Sequence, residues 1–192
     1  MDALLISTAV VALAEIGDKT QLLAFLLAAR FKKPLPIIAG ILIATIFNHA
    51  LAGAVGVFIT RSIAPEYLRW ILGISFIAMA IWTLIPDKID EAETSITKSS
   101  GVFMATLVTF FLAEMGDKTQ IATVAMAAHY AMPIQVVMGT TLGMLIADVP
   151  AVFAGDKLAQ KIPMKLVHSI AAAIFALMGL ATLLGVGKGL GF

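Results

Sequence analysis

A nine-residue phrase, Leu13-Ala14-Glu15-Ile16-Gly17-Asp18-Lys19-Thr20-Gln21, returns as Leu112-Ala113-Glu114-Met115-Gly116-Asp117-Lys118-Thr119-Gln120, and only Ile16 and Met115 differ. Each copy sets two carboxylates and an ammonium inside a long apolar run. Charged side chains are rare and costly inside a bilayer, and where they occur they mark ion or substrate pathways. A chain carrying the same charged phrase twice is therefore constrained to bring the two copies together, and the remainder reads as the scaffold that does so.

The apolar setting is established by composition. Hydrophobic residues make up 60% of the chain and charged residues only 13%, where a soluble domain carries about a quarter. Apolar runs of about 20 residues recur along most of the length, the mark of membrane-spanning helices. The expected fold class is all-α, a polytopic membrane protein. The first run carries Glu15 and Asp18, so it reads as a retained span and not as a signal peptide. There is no cysteine, hence no disulfide framework and no thiolate metal site, and a net charge of +1 gives no sign of a nucleic-acid partner. Nothing resembles a phosphate loop, a Ser/His/Asp set or a zinc-protease helix, so no enzyme and no resident cofactor is expected.

Six spans can be drawn: Ala3–Ala29, Pro34–Thr60, Leu68–Ile85, Gly101–Ala128, Pro133–Ala154 and Leu166–Val186. A polar stretch, 86–100, separates residues 1–85 from 101–192 and reads as a linker. The offset between the phrases, 112 − 13 = 99, also superposes Pro34 on Pro133, Gly40 on Gly139 and Gly56 on Gly155. The repeat thus covers three helices, and an odd number forces the second copy to enter the membrane from the opposite side. Two inverted-topology three-helix repeats are expected, an arrangement that places binding sites at the repeat interface. Basic residues give the orientation. Arg30, Lys32, Lys33, Lys88, Lys98, Lys157, Lys161 and Lys165 collect on one side, against Arg61, Arg69 and Lys188 on the other. The linker is expected in the cytoplasm and both termini outside.

On a helix, Glu15 and Asp18 share a face and Lys19 lies nearby. Gly17 can admit another backbone or allow a local break. Together the two phrases supply four carboxylates and two ammoniums, a formal 2 − 4 = −2 that matches a divalent cation. Glu15, Asp18, Glu114 and Asp117 are the candidate metal ligands, and oxygen donors suit hard ions such as Ca²⁺ and Mn²⁺. Thr20, Gln21, Thr119 and Gln120 could add neutral oxygens or bond backbone. Lys19 and Lys118 have no acceptor and are expected to orient the carboxylates or replace the cation. A second polar layer holds Asn48 and His49, with His49 falling on Asp148 at the repeat offset. Asp148 could line the cation path or make a helix contact, and His49 could accept a proton or pack. The alternative that the charges only pin helices is weak, because desolvation cancels much of a buried pair's attraction. The residues thus point to a secondary transporter of divalent cations, with an exporter of basic amino acids as the alternative.

The double Glu-x-Gly-Asp-Lys-Thr resembles the duplicated signature Glu-x-Gly-Asp-(Lys/Arg)-(Thr/Ser) of a family of Mn²⁺/Ca²⁺ transporters found from bacteria to the Golgi, and among them the bacterial manganese exporters. Both copies match in full, and six spans with a charged central loop also agree. The resemblance implies a cation antiporter that binds metal through the acidic residues of both motifs. It further implies protons as the counter-ion, export from the cytoplasm, and residence in the inner membrane.

Overall fold

The computed structural model describes residues 2–85, 101–154 and 164–185, and the 86–100 linker lies outside them. Among these residues there are eight helices and no strand: α1 (Asp2–Glu15), α2 (Lys19–Phe31), α3 (Pro34–Ser62), α4 (Pro65–Thr83), α5 (Gly101–Glu114), α6 (Lys118–Tyr130), α7 (Pro133–Ala154) and α8 (Met164–Leu184). Prolines open α3, α4 and α7, where the missing N–H is one the first helical turn would leave unpaired in any case. Helix α3 and most of α7 and α8 are long and apolar enough to cross a membrane.

The expected spans Ala3–Ala29 and Gly101–Ala128 are not continuous helices. Each is two helices, α1 with α2 and α5 with α6, interrupted inside the phrase. Helices of 14 and 13 residues are each about 20 Å long, short of a hydrocarbon core of about 30 Å. The cause is local. Gly17 and Gly116 have φ of +87° and +80°, a conformation that ends a right-handed helix and that side chains with a Cβ disfavour. Of the two possibilities for the phrase glycine, the break is therefore realised. A Cβ on Gly116 would meet nothing within 4 Å, so no close backbone approach is involved there.

Small residues set how the helices lie together. A Cβ on Gly40 of α3 would fall 2.7 Å from Thr106 Cβ and 3.0 Å from Phe103 O on α5. A Cβ on Gly139 of α7 would fall 3.0 Å from Ser7 Cβ and 2.5 Å from Leu4 O on α1. The two sets correspond at the repeat offset: 139 − 40, 106 − 7 and 103 − 4 all equal 99. Further along, Gly143 meets Thr8, Val11 and Ala12, so α1 and α7 run side by side in one direction. Gly56 meets Val124, Ala127 and Ala128 beyond the break, so α3 runs alongside α5 and then α6. Gly53 reaches Val137 and Pro133, which puts the end of α3 beside the start of α7.

The buried apolar residues form two clusters. The upper one joins α1, α4, α6, α7 and α8, with Phe76, Met126, Met144 and Phe175 at its centre. The lower one joins α2, α3, α5 and α7 through Leu23, Leu27, Ile37, Ile41 and Phe110. Helices α4 and α8 pack closely on each other and supply buried residues only to the upper cluster. Between the two clusters lies the level of the breaks.

Candidate metal centre

Both breaks are built alike. Helix α1 ends on Glu15, the chain turns through Ile16 and Gly17, and Asp18 stands with extended backbone at the start of α2. Asp18 N donates to Glu15 O at 3.0 Å, and Asp117 N to Glu114 O at 3.2 Å. Gln21 then folds back, its Oε1 accepting from Gly17 N at 2.9 Å, and Gln120 does the same for Gly116 N at 2.8 Å. This is the reach-back of a capping box, in which a residue one turn into a helix covers backbone N–H groups before its start. The sequence signal was present as Asp-x-x-Gln in both phrases and was not read as a helix start. It commits the glutamine oxygens to backbone and leaves the carboxylates for other partners.

The breaks bring both phrases to one place. One carboxylate oxygen each of Glu15, Asp18 and Asp117 lie within 4.8 Å of one another, and all three residues are buried. Glu114 is fully buried in electrostatic reach of those three and of Asp148. Lys118 Nζ lies 3.1 Å from Asp18 Oδ1, so the ammonium of the second phrase pairs with a carboxylate of the first. Lys118 is 1% exposed, whereas Lys19 is half-buried. Three of the four carboxylates proposed from the sequence, Glu15 and Asp18 of the first phrase and Asp117 of the second, thus meet in one group, and Glu114 lies in its electrostatic reach without joining it.

The threonines take up roles that spacing alone did not separate. Thr20 Oγ1 donates to Glu15 Oε2 at 2.7 Å, and Thr119 Oγ1 makes a very short hydrogen bond to Glu15 Oε1. Glu15 is therefore held by one hydroxyl from each half, while Glu114 has no hydrogen-bond partner among the described residues. The two phrases match in sequence, but their carboxylates are not equivalent here.

The second polar layer is buried beside this group. Asn48 donates to Phe111 O at 3.1 Å, and its Oδ1 lies 3.5 Å from Gln120 Nε2; Gln21 Nε2 donates to Ala147 O at 2.8 Å. Asn48 and Ala147 are again 99 apart, so each glutamine tethers its break to the same position on the neighbouring long helix. Asp148 is fully buried, has no hydrogen-bond partner among the described residues, and lies in electrostatic reach of Glu15 and Glu114. His49 is equally buried, and neither ring nitrogen has a partner among the described residues. Met115, the one differing position, is 53% exposed and turned away from the carboxylates. Sequence reasoning missed His168, whose Nε2 lies 2.8 Å from Ile16 O at the first break. No spacing pattern links α8 to that carbonyl, so nothing in the chain signalled it.

Chemically, the group offers carboxylate oxygens at cation-coordinating separations inside an apolar bundle, balanced in part by one ammonium. Burying several carboxylates without compensation is strongly unfavourable. A dication is the compact charge that offsets them, and it would compete with Lys118 for Asp18.

Comparisons with known proteins fit this geometry. The sequence profile described as divalent cation/proton antiporter GDT1 matches residues 3–91, which run into the linker, and again 102–189. A Vibrio cholerae serotype O1 protein named "Putative manganese exporter" is 52% identical over 183 residues, covering 95% of this chain and 90% of its own length. GDT1-like protein 4 of Oryza sativa subsp. indica is 30% identical over 91% of this chain and 70% of its own, and GDT1-like protein 5 of Arabidopsis thaliana is 26% identical over 93% of each. No solved structure matches.

Proposed function

This chain belongs to the GDT1 family of divalent cation/proton antiporters, and on that premise we propose that it is a secondary active exporter of Mn²⁺, with Ca²⁺ the next ion of the same chemistry, driven by protons moving the other way. The transported metal is bound at one shared site, with Glu15, Asp18, Glu114 and Asp117 as its ligands. Thr20, Thr119, Gln21, Gln120, Asn48 and Asp148 position those ligands or line the path, and Lys118 and Lys19 compensate charge. The observation that carries this reading is the meeting of Glu15 and Asp18 of the first phrase with Asp117 of the second inside 4.8 Å. Oxygen-only donor sets favour Mn²⁺ and Ca²⁺ over softer ions. The name of the 52% identical relative favours manganese and export.

The proposed architecture is six spans in two inverted repeats, with the first and fourth spans broken at the phrases. Three findings support it. The family profile matches each half separately; the glycine contacts repeat at the 99-residue offset; and α1 keeps the direction of α7 while α5 keeps that of α3. Broken helices at mid-depth with their termini turned to a charged site are a recurrent design for ion binding in secondary transporters. The lysine and arginine asymmetry supports a cytoplasmic linker with both termini outside, and the family resemblance supports the inner membrane.

The reading is tested by flux in proteoliposomes under an imposed pH gradient, with Mn²⁺, Ca²⁺, Mg²⁺, Zn²⁺ and lysine offered separately. Mn²⁺ movement coupled to the pH gradient is expected. Lysine flux without metal flux would replace the reading with the amino-acid exporter.

A further inference from the structure

A cavity of about 810 Å³ lies at the upper end of the bundle, beside residues of the upper cluster. It is walled by α1, α4, α6 and α8, among them Ile6, Leu72, Ile174 and Met178. Its volume falls in the range of about 300–1,000 Å³ typical of pockets that enclose organic ligands. None of the candidate metal ligands lines it, and its charged residues are Glu66 and Arg69, one turn apart on α4. An apolar chamber with an arginine at its mouth is a poor route for a dication, so it is not read as the exit path.

Three features of the mouth specify an occupant. Arg69 stacks on Trp70 at 5.4 Å, and its Nε is buried with no hydrogen-bond partner among the described residues. Tyr67 and Trp70 are well exposed, the pairing of aromatic side chains that marks the headgroup level of a bilayer. Leu177, which lines the cavity, is 66% exposed, so the chamber reaches the outer, lipid-facing surface of the bundle. Apolar walls open to the side and an arginine at headgroup level are complementary to an acyl chain and a phosphate.

We propose that this cavity binds one phospholipid from the adjoining leaflet, its phosphate on the Arg69 guanidinium and an acyl chain between α4–α8 and α1/α6. The arginine suits the phosphate because its planar fork can donate two hydrogen bonds to it. Such a lipid would sit between the α4–α8 pair and the helices that carry the upper core, independently of which ion is transported.

Tryptophan fluorescence tests this directly, since the chain has only Trp70 and Trp82. In the full chain with Trp82→Phe, purified in detergent, phosphatidylethanolamine with brominated acyl chains should quench Trp70 and saturate near one lipid per chain. Brominated diacylglycerol, which lacks the phosphate, should need about tenfold more, as loss of a charge-assisted hydrogen bond predicts. Arg69→Gln should remove the difference between the two lipids, and Ala181→Phe, which fills the cavity from its wall, should abolish saturable quenching. Non-saturating quenching that is unaltered in both variants would overturn the proposal, as would equal binding of the two lipids to the Trp82→Phe protein. Saturable quenching that appears only after deletion of residues 186–192 would assign the cavity to the chain's own end instead.

Discussion

Glu15 is the residue on which the two halves converge. It accepts a hydroxyl from Thr20 of its own phrase and another from Thr119 of the other. Glu15→Gln and Glu114→Gln each remove one ligand charge while keeping shape, and if both serve one metal either change should reduce Mn²⁺ flux to near background in a folded, inserted protein. The double variant should be little worse than either single, since residues acting on one ligand fail together. Two independent sites would leave each single with about half its flux, and that result would sink the shared-site reading. The two lysines should differ as well. Lys118 is buried against Asp18, so Lys118→Ala should tighten metal binding and slow exchange by leaving Asp18 without its ammonium between cycles. Lys19→Ala, at a half-buried position, should show the same trend more weakly; metal titration alongside flux separates binding from turnover. At this scale the meeting of carboxylates from both phrases was legible, because charge inside an apolar run has few other uses. The inequality of Glu15 and Glu114 was not, because the phrases that carry them are identical except at the position between Glu and Gly, and only their surroundings differ.

Among the helices, the phrase acts as punctuation. Gly116 lies at φ +80° with open space around its absent Cβ, so Gly116→Ala should cost only the conformational penalty, about 1–2 kcal/mol. Gly116→Asn should cost less, because Asn tolerates the left-handed region. Gly139→Ala should cost more than either, since its Cβ would fall 2.5 Å from the Leu4 carbonyl oxygen and force α1 from α7. Denaturation of the purified variants in detergent ranks the three; a milder effect at Gly139 than at Gly116 would show that α1 yields easily. The long helices were legible from hydropathy and from prolines at their starts. The breaks were half legible: glycine in the phrase admitted a break, but a hydropathy window runs smoothly across it. Asp-x-x-Gln, twice, was the missed sign of a new helix beginning.

For the molecule as a whole, the repeat offset was the most informative quantity in the sequence, since helix contacts then follow it from Gly40 and Gly139 to Asn48 and Ala147. What it did not foretell is the placement of α4 and α8, which join only the upper core. Orientation in the membrane is checked in this cysteine-free chain by Ala92→Cys, which should be labelled by an impermeant thiol reagent only after the cytoplasmic face is opened. Labelling in intact cells would reverse the topology. The opposed course of the helices has an electrical consequence. Helices α1 and α2 run with α7, and α5 and α6 run with α3, so their backbone dipoles oppose one another along the bundle and largely cancel. In the proposed exchange cycle these six helices then add little to the response to a membrane voltage, which would act chiefly on the exchanged ions. Two protons against one dication leave it nothing to work on, whereas one proton leaves a single charge worth about 2.3 kcal/mol per 100 mV. If protons are the counter-ion, the voltage dependence of exchange would report how many move per dication.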